Sequence, residues 1–367
     1  MYRILHTADW HIGVQPMAIS NRPKDYQHRR FEAAKRIVDF AKAEKVDAVV
    51  IAGDLFDRST VPLPLLRPTL KILNEFAPTP VYLIPGNHDS FGPGTVWEST
   101  TWDEAEEHIH LCLKNSEVVL NEDVTFYPCP IHQRTSGEDP TKWIPSREDD
   151  DTRIRIGVAH GSLKIRPEIT ELPIPPDRAE MSGLSYLALG HYHSAYSAGR
   201  TAYAGCIEAA TYKDPVGSVR IVEFEDGLSN PKGTIHPCGV LRWTDLKPQC
   251  ATIGDVHALC KDIDALGERK DQVICITPAL NRDAEGAAIE ALDHLRDELE
   301  GEVFALDWRE DAYERAMQDD GQLLPPGIFE VVQTRLKAAV EGSGELEPNV
   351  ARAAIVELHR IAREARR

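Results

Sequence analysis

The stretch Met1-Tyr2-Arg3-Ile4-Leu5-His6-Thr7-Ala8-Asp9-Trp10-His11-Ile12-Gly13 decides the fold. An apolar run of strand length, Tyr2–His6, ends at the polar cluster Asp9-Trp10-His11. The same pattern returns four times. Ala48–Ile51 leads into Gly53-Asp54-Leu55-Phe56-Asp57, and Val81–Ile84 into Gly86-Asn87-His88-Asp89. Ile154–Ala159 leads into His160-Gly161, and Tyr186–Leu189 into Gly190-His191-Tyr192-His193. Short apolar runs closed by polar clusters read as buried strands. Between the first two lies an amphipathic helix over Tyr26–Glu44, with Phe31, Ala34, Ile37, Val38 and Ala41 at helical spacing. A second helix is expected over Leu65–Phe76, with Pro68 near its start or kinking it. Strands alternating with helices imply an α/β core. In such sheets ligands bind beyond the C-terminal strand ends, where all five clusters fall.

The residue types specify the chemistry. Asp, His and Asn offer oxygen and nitrogen ligands, and no Cys is among them. That points away from a thiolate zinc site and toward Mn²⁺, Mg²⁺ or Fe²⁺. Asp9 and His11 stand at i and i+2, so an extended backbone turns both side chains the same way. His191 and His193 repeat that spacing. Asp54 is a lone central carboxylate suited to bridging two cations, and glycines at the strand exits permit tight turns.

The rest of the chain is less regular. Gly13–Asp25 and Thr135–Thr152 read as loops, the second ending in the acidic run Glu148–Asp151. Ala202–Ala204 and Ser218–Phe224 read as further strands. Beyond about residue 245 the pattern becomes helix Asp255–Leu266, strand Val273–Thr277, helix Ala284–Leu299 and strand Val303–Leu306. Two terminal helices are expected over Gly327–Val340 and Asn349–Arg366. Their apolar positions include Val331, Val332 and Leu336 in one, and Ala354, Val356 and Ile361 in the other.

Composition bounds these readings. With 367 residues, two or three domains are expected. No apolar run is long enough to span a bilayer, and the N-terminal run is too short for a signal peptide. Seven scattered cysteines without a CxxC pair suit a reducing cytoplasm. The net charge of −18 argues against nucleic-acid binding by the surface as a whole, because phosphate neutralisation needs Lys and Arg. Two divalent cations, with Arg22, Lys24, Arg29, Arg30, Arg58, Lys164 and Arg166 nearby in sequence, would answer that objection locally. Trp10 and Tyr192, inside motifs, either stack on a base or pack beneath the cations.

The set DxH, GDxxD, GNHD, a lone His-Gly and GHxH resembles the calcineurin-like metallophosphoesterases. More narrowly, His6–Gly13, Ala52–Asp57, Gly86–Ser90 and Leu187–His193 followed by Tyr203-Ala204-Gly205-Cys206 look like the SbcD family of DNA repair exonucleases. The resemblance covers about residues 1–225. It implies an α/β sandwich of four layers, two mixed sheets flanked by helices, with a small α+β capping domain and C-terminal helices. The implied domains are 1–240 (nuclease), 241–325 (cap) and 326–367 (a helical segment that docks an ATPase).

Carried over by motif, one cation would be held by Asp9, His11, Asp54 and His193, and a second by Asp54, Asn87, His160 and His191. Two such ions, with Mn²⁺ the expected metal, clamp the oxygens of an in-line displacement at phosphorus. His88 is then the acid at the leaving oxygen, and Asp57 orients it. Asp57 as a helix N-cap is the bland alternative. The resemblance further implies DNA as substrate, an SbcC-type SMC-like ATPase as partner, and a homodimer face over Leu63–Phe76. Two other functions remain open. One is a phosphatase or small-molecule phosphodiesterase, since Asp54-Leu55-Phe56-Asp57-Arg58 also resembles the GDxxDR of phosphoprotein phosphatases. The other is an ATPase adaptor with weak intrinsic activity.

Overall fold

The computed structural model describes residues 1–280, 286–309, 328–343 and 346–364. They form two compact units, Met1–Trp243 and Thr244–Arg367.

The first unit is built on two six-stranded sheets. In chain order their strands are β1 (Tyr2–Thr7), β2 (Ala48–Ala52), β3 (Val81–Ile84), β4 (Ile109–Leu111), β5 (Val118–Asn121), β6 (Val124–Cys129) and β7 (Ile154–His160). After the small pair β8 (Ser162–Leu163) and β9 (Pro173–Ile174) come β10 (Tyr186–Gly190), β11 (Tyr196–Ala198), β12 (Thr201–Tyr203), β13 (Ser218–Phe224) and β14 (Lys232–Pro237). The first sheet runs β14-β13-β1-β2-β3-β4, and the second β11-β12-β10-β7-β6-β5. Strands β1 to β4 are mutually parallel, as are β6, β7, β10 and β12; the outer strands β13, β14, β11 and β5 run antiparallel to their neighbours.

The period-two alternation of each strand builds the layers. Leu5, Val49 and Ile51 face outward onto helix α1 (Pro23–Ala43), whose Ile37 and Val38 complete that core. Their chain neighbours Ile4, Ala48 and Val50 face inward and meet Phe126, Ile156, Val158 and Ala188 of the second sheet. Leu70 and Leu73 of α2 (Leu63–Asn74) extend the outer core, and Pro68 sits inside that helix. Beyond the second sheet, Ala159, Leu187 and Leu189 pack against Ile144, Ala179 and Leu184. This fourth layer is mostly irregular chain, with the one-turn helix α3 (Arg178–Met181) as its regular part.

Helix α1 starts with Pro23, whose fixed φ suits a first-turn position. It ends where Lys45 takes φ +51°, the left-handed conformation that closes many helices, and Val46 N–H donates to the Ala41 carbonyl.

A three-stranded sheet, β15 (Arg242–Leu246), β16 (Gln272–Ile276) and β17 (Ala305–Trp308), starts with the last two residues of the first unit and otherwise belongs to the second, with α4 (Ile253–Asp264) and α5 (Gly286–Glu302). Thr252 and Asp255 cap α4 reciprocally. The helices Ile328–Val340 and Pro348–Glu364 pair through Leu336, Ala339, Ala351 and Ile355. The boundary expected at 325/326, and Gly327, lie outside the described residues.

Candidate metal centre

The C-terminal ends of β1, β2 and β3 in one sheet and of β7 and β10 in the other bring all five polar clusters to one edge. The loops after β1 and β2 continue side by side: Asp9 N–H donates to the Gly53 carbonyl at 3.1 Å, and His11 N–H to the Asp54 carbonyl at 2.9 Å. Of the six described non-glycine residues with positive φ, four are cluster residues: Asp9 (+52°), His11 (+40°), Asp54 (+51°) and His191 (+108°). Such backbone costs on the order of 1–3 kcal/mol per residue and persists where the surroundings enforce it, commonly at functional sites. Two glycines allow the close approach. A Cβ on Gly86 would lie 2.1 Å from Asp54 Oδ1, and one on Gly190 2.1 Å from the Ala52 carbonyl oxygen.

The side chains converge in two linked groups. His11 Nε2 is 3.9 Å from Asp9 Oδ1 and 3.7 Å from Asp54 Oδ2. Ligand atoms of Asp9, His11 and His193 lie mutually within 4.8 Å. On the other side, His160 Nε2 is 3.3 Å from the same Asp54 Oδ2 and 2.8 Å from Asn87 Oδ1, and His191 Nδ1 is 3.2 Å from Asn87 Oδ1. Asp54 therefore stands between the groups. Asp9, Asp54 and His160 are buried, whereas His88, His191 and His193 open toward solvent.

These residues fit divalent cations. His160 Nδ1 faces the Ala52 carbonyl at 2.9 Å, which can only accept, so Nδ1 carries a proton. Nε2 of a neutral ring then turns a lone pair toward two oxygens. That is favourable only with a positive charge, a proton or a cation, between them. Both ring nitrogens of His11 are buried without a hydrogen-bond partner among the described residues. Its 3.7–3.9 Å spacing to the carboxylates is too long for a hydrogen bond. It leaves room for a cation between the ring and the carboxylates, which those residues would hold.

The electrostatics agree. Burial alone would raise the Asp54 carboxyl, but His160 and His11 hold it well below the usual range. Burial would lower His160; Asp54 overrides it and lifts the ring to about 9. Burial drives His11 well below its ordinary value and His191 down to about 4, so both rings are neutral and able to ligate.

Neighbouring groups fix these side chains. His88 Nδ1 donates to the Asp57 backbone carbonyl at 3.1 Å, and its N–H donates to Asp54 Oδ1 at 2.8 Å. Asp57 Oδ1 is 3.7 Å from His88 Nδ1 and 3.8 Å from His11 Nδ1. Asp57 caps no helix, since α2 begins after Pro62.

The motifs assign no role to three further residues. Asp89 is buried and accepts from Gly86 N–H at 2.7 Å and Phe56 N–H at 3.0 Å, pinning two loops together. Burial and the Asp54 charge raise its carboxyl to about 8. Asp214 Oδ1 takes the His193 Nδ1 proton at 3.2 Å, while its Oδ2 accepts from Ala210 and Thr211 N–H. Glu208 receives the N–H groups of Val240 and Leu241.

Of the two readings of Trp10, stacking on a base is excluded: it is fully buried and donates to Thr7 Oγ1. One expectation is corrected. Arg30 is not a phosphate contact: it is buried, and its guanidinium donates to the carbonyls of Trp10 and Glu208. Arg58, Lys164 and Arg166 are exposed.

Known proteins share parts of this sequence. A metallophosphoesterase of Bacillus subtilis named YhaO, described as uncharacterized, is 28% identical over 200 residues, 52% of this chain and 48% of that protein. The DNA double-strand break repair protein Mre11 of Aeropyrum pernix is 27% identical over 214 residues, 53% of this chain and 49% of that protein. The SbcD component of the nuclease SbcCD from Staphylococcus saprophyticus is 33% identical over 137 residues, 35% and 34% of the two chains. The chain thus spans about half the length of the first two relatives, and less of the third. The calcineurin-like phosphoesterase family model matches residues 2–195, a span that holds all five clusters, and the chain belongs to that family.

Proposed function

We propose that this chain is a two-cation phosphodiesterase that cuts DNA, a nuclease of the SbcD kind. The observation that carries the reading is the shared Asp54 Oδ2, 3.7 Å from His11 Nε2 on one side and 3.3 Å from His160 Nε2 on the other. Asp9, His11, Asp54 and His193 would hold one ion; Asp54, Asn87, His160 and His191 would hold the second. When bound, two divalent cations supply positive charge to the phosphodiester oxygens and activate water as the nucleophile. His88, half-buried at the mouth with Nδ1 committed to the Asp57 carbonyl, presents Nε2 as the acid for the leaving oxygen. Asp57 positions that ring. Mn²⁺ is the proposed metal, on its mixed oxygen and nitrogen ligand set.

The relatives named as Mre11 and as part of the nuclease SbcCD support DNA as substrate and an SMC-like ATPase as partner. In the proposed organisation, residues 1–240 are catalytic, 241–325 cap, and 326–367 dock the ATPase. Exposed Val331, Val332, Val350 and Ile361 on the terminal helices support the docking role. A homodimer through α2, with Leu63 exposed, and a cytoplasmic setting belong to the same proposal. Among the described residues, no helix is long and apolar enough to cross a membrane. One observation favours a phosphatase instead: Arg58 follows Asp57 and lies 3.7 Å from its carboxylate.

Hydrolysis with Mn²⁺ separates these readings, comparing linear DNA with p-nitrophenyl phosphate and its diester. DNA cleavage lost in His88→Ala, with little monoester turnover, is expected. Efficient monoester turnover without DNA cleavage would replace the nuclease with a phosphatase.

A further inference from the structure

A cavity of about 910 Å³ is lined mostly by the loop that follows β6. Strand β6 pairs in parallel with β7, Cys129 opposite Ala159, so Pro130 leaves the sheet alongside His160. Adjacent strands are about 4.8 Å apart, which sets the scale of that separation. The loop is tied to the catalytic clusters on both flanks. Ile131 N–H donates to the Pro85 carbonyl, and Phe91 N–H to the Ile131 carbonyl, bracketing the Gly86–Asp89 turn. Across the cavity, Leu172 accepts from Ser162 N–H, and its carbonyl would lie 2.4 Å from a Cβ on Gly161. The walls are therefore continuous with the segments that carry Asn87, His88 and His160.

The lining has a definite chemistry. Trp143 and His132 line it with aromatic rings: Trp143 is half-buried, packs on Tyr127 and donates to Cys129 Sγ, so only its outer side is open, and His132 is exposed at the rim and meets Phe91 edge-on at 5.7 Å. Gln133, Ser136 and Asn115 offer uncharged donors and acceptors. Lys142, Glu138 and Asp139 also line it, and the Asp139 carboxylate is held by Arg178 and Thr141. That leaves Lys142 matched by Glu138, with no net positive charge to suit a phosphate. Flat rings with neutral hydrogen-bonding groups suit a planar, uncharged heterocycle, and the volume falls in the range of small-ligand pockets.

We propose that this cavity receives a nucleobase of the strand being cut, next to the scissile phosphate. The inference rests on the phosphodiesterase reading for its position and on the cavity's own lining for its ligand.

The test uses the full chain with Mn²⁺ and two chromogenic diesters, the p-nitrophenyl ester of thymidine 5′-monophosphate and bis(p-nitrophenyl) phosphate. A base site predicts a KM about tenfold lower for the thymidine ester, the scale of one stacked base. His132→Ala, an exposed substitution, and Trp143→Leu bring the two KM values together, while Trp143→Phe keeps most of the difference. Saturation-transfer NMR with thymidine alone, metal-free, gives a second readout: binding in the parent chain, lost in Trp143→Leu. Equal KM values and no thymidine binding overturn the base site and leave the phosphodiesterase intact. Thymidine binding that the variants abolish, with neither diester hydrolysed, keeps the base site and overturns the phosphodiesterase.

Discussion

His160 Nε2 stands 3.3 Å from Asp54 Oδ2 although β7 and β2 belong to different sheets. That contact closes the sandwich at the edge that carries the five polar clusters. It also means that charge at the centre is a stability term for the whole first unit. Asp9 and Asp54 are buried acids without a Lys or Arg partner among the described residues, and the cluster needs positive charge to hold them together.

Metal removal therefore costs stability. Mn²⁺ at about 100 times its dissociation constant is expected to add about 2.7 kcal/mol. For a unit of this size that is a rise in Tm of about 5–10 °C over the EDTA-stripped protein. Calorimetry with and without Mn²⁺ measures it, and an unchanged Tm would count against a cation centre.

Asp214 fixes His193 by accepting its Nδ1 proton, which leaves Nε2 free to ligate. Asp214→Asn is expected to weaken Mn²⁺ binding by about 10–100-fold, the usual effect of removing a ligand's supporting partner. Titration calorimetry reads this without any turnover. A variant that binds Mn²⁺ like the parent would reduce Asp214 to a turn residue.

Two glycine substitutions contrast sharply. In Gly86→Ala the new methyl would meet Asp54 Oδ1 at 2.1 Å, so the carboxylate or the loop must move. Overpacking of this kind costs on the order of 1–3 kcal/mol, and Mn²⁺ affinity should fall with it. Gly301 near the end of α5 has nothing among the described residues within 4 Å of an added Cβ, its own helix backbone aside. Gly301→Ala should be neutral or stabilise by up to about 1 kcal/mol. Urea unfolding of both variants decides the comparison.

His6 makes the fold sensitive to acid. Its ring lies between Tyr186 OH at 2.9 Å and the Leu189 carbonyl at 3.2 Å, fully satisfied as a neutral group. Burial, reinforced by Arg220, pushes its pKa down to about 3. Between the ordinary value of about 6.5 and that value, the unfolded chain binds a proton that the folded chain refuses. Stability from this group is complete above about pH 6.5 and falls by about 1 kcal/mol per unit as pH drops below it. His6→Gln should flatten the acid side of a plot of urea midpoint against pH. An unchanged slope would place the acid sensitivity elsewhere.

Much of the first unit was legible because its central strands are largely buried on both faces and read as apolar-rich runs. Tyr2–Thr7, Val81–Ile84 and Tyr186–Gly190 each end at the polar residues they deliver to the site. Strands β4, β5 and β6 escaped notice. Ile109–Leu111 is three residues long, Val118–Asn121 alternates at an exposed edge, and Val124–Cys129 carries Pro128. The roles of Asp214 and Asp89 escaped for a different reason. Their partners, His193 and Phe56, lie 21 and 33 residues away, and no local spacing announces a hydrogen bond formed only by the fold. Arg30 misled because a charged side chain on an amphipathic helix normally faces water; here three groups, Trp10, Tyr26 and Glu208, satisfy it inside.

The most direct measurement is electron paramagnetic resonance of the metal-free chain titrated with Mn²⁺, in the parent and in Asp54→Asn. Two spin-coupled Mn²⁺ ions per parent chain, with the coupling lost in Asp54→Asn, is the expected result. A single uncoupled ion in the parent, or coupling that survives the substitution, would contradict a two-cation centre bridged by Asp54.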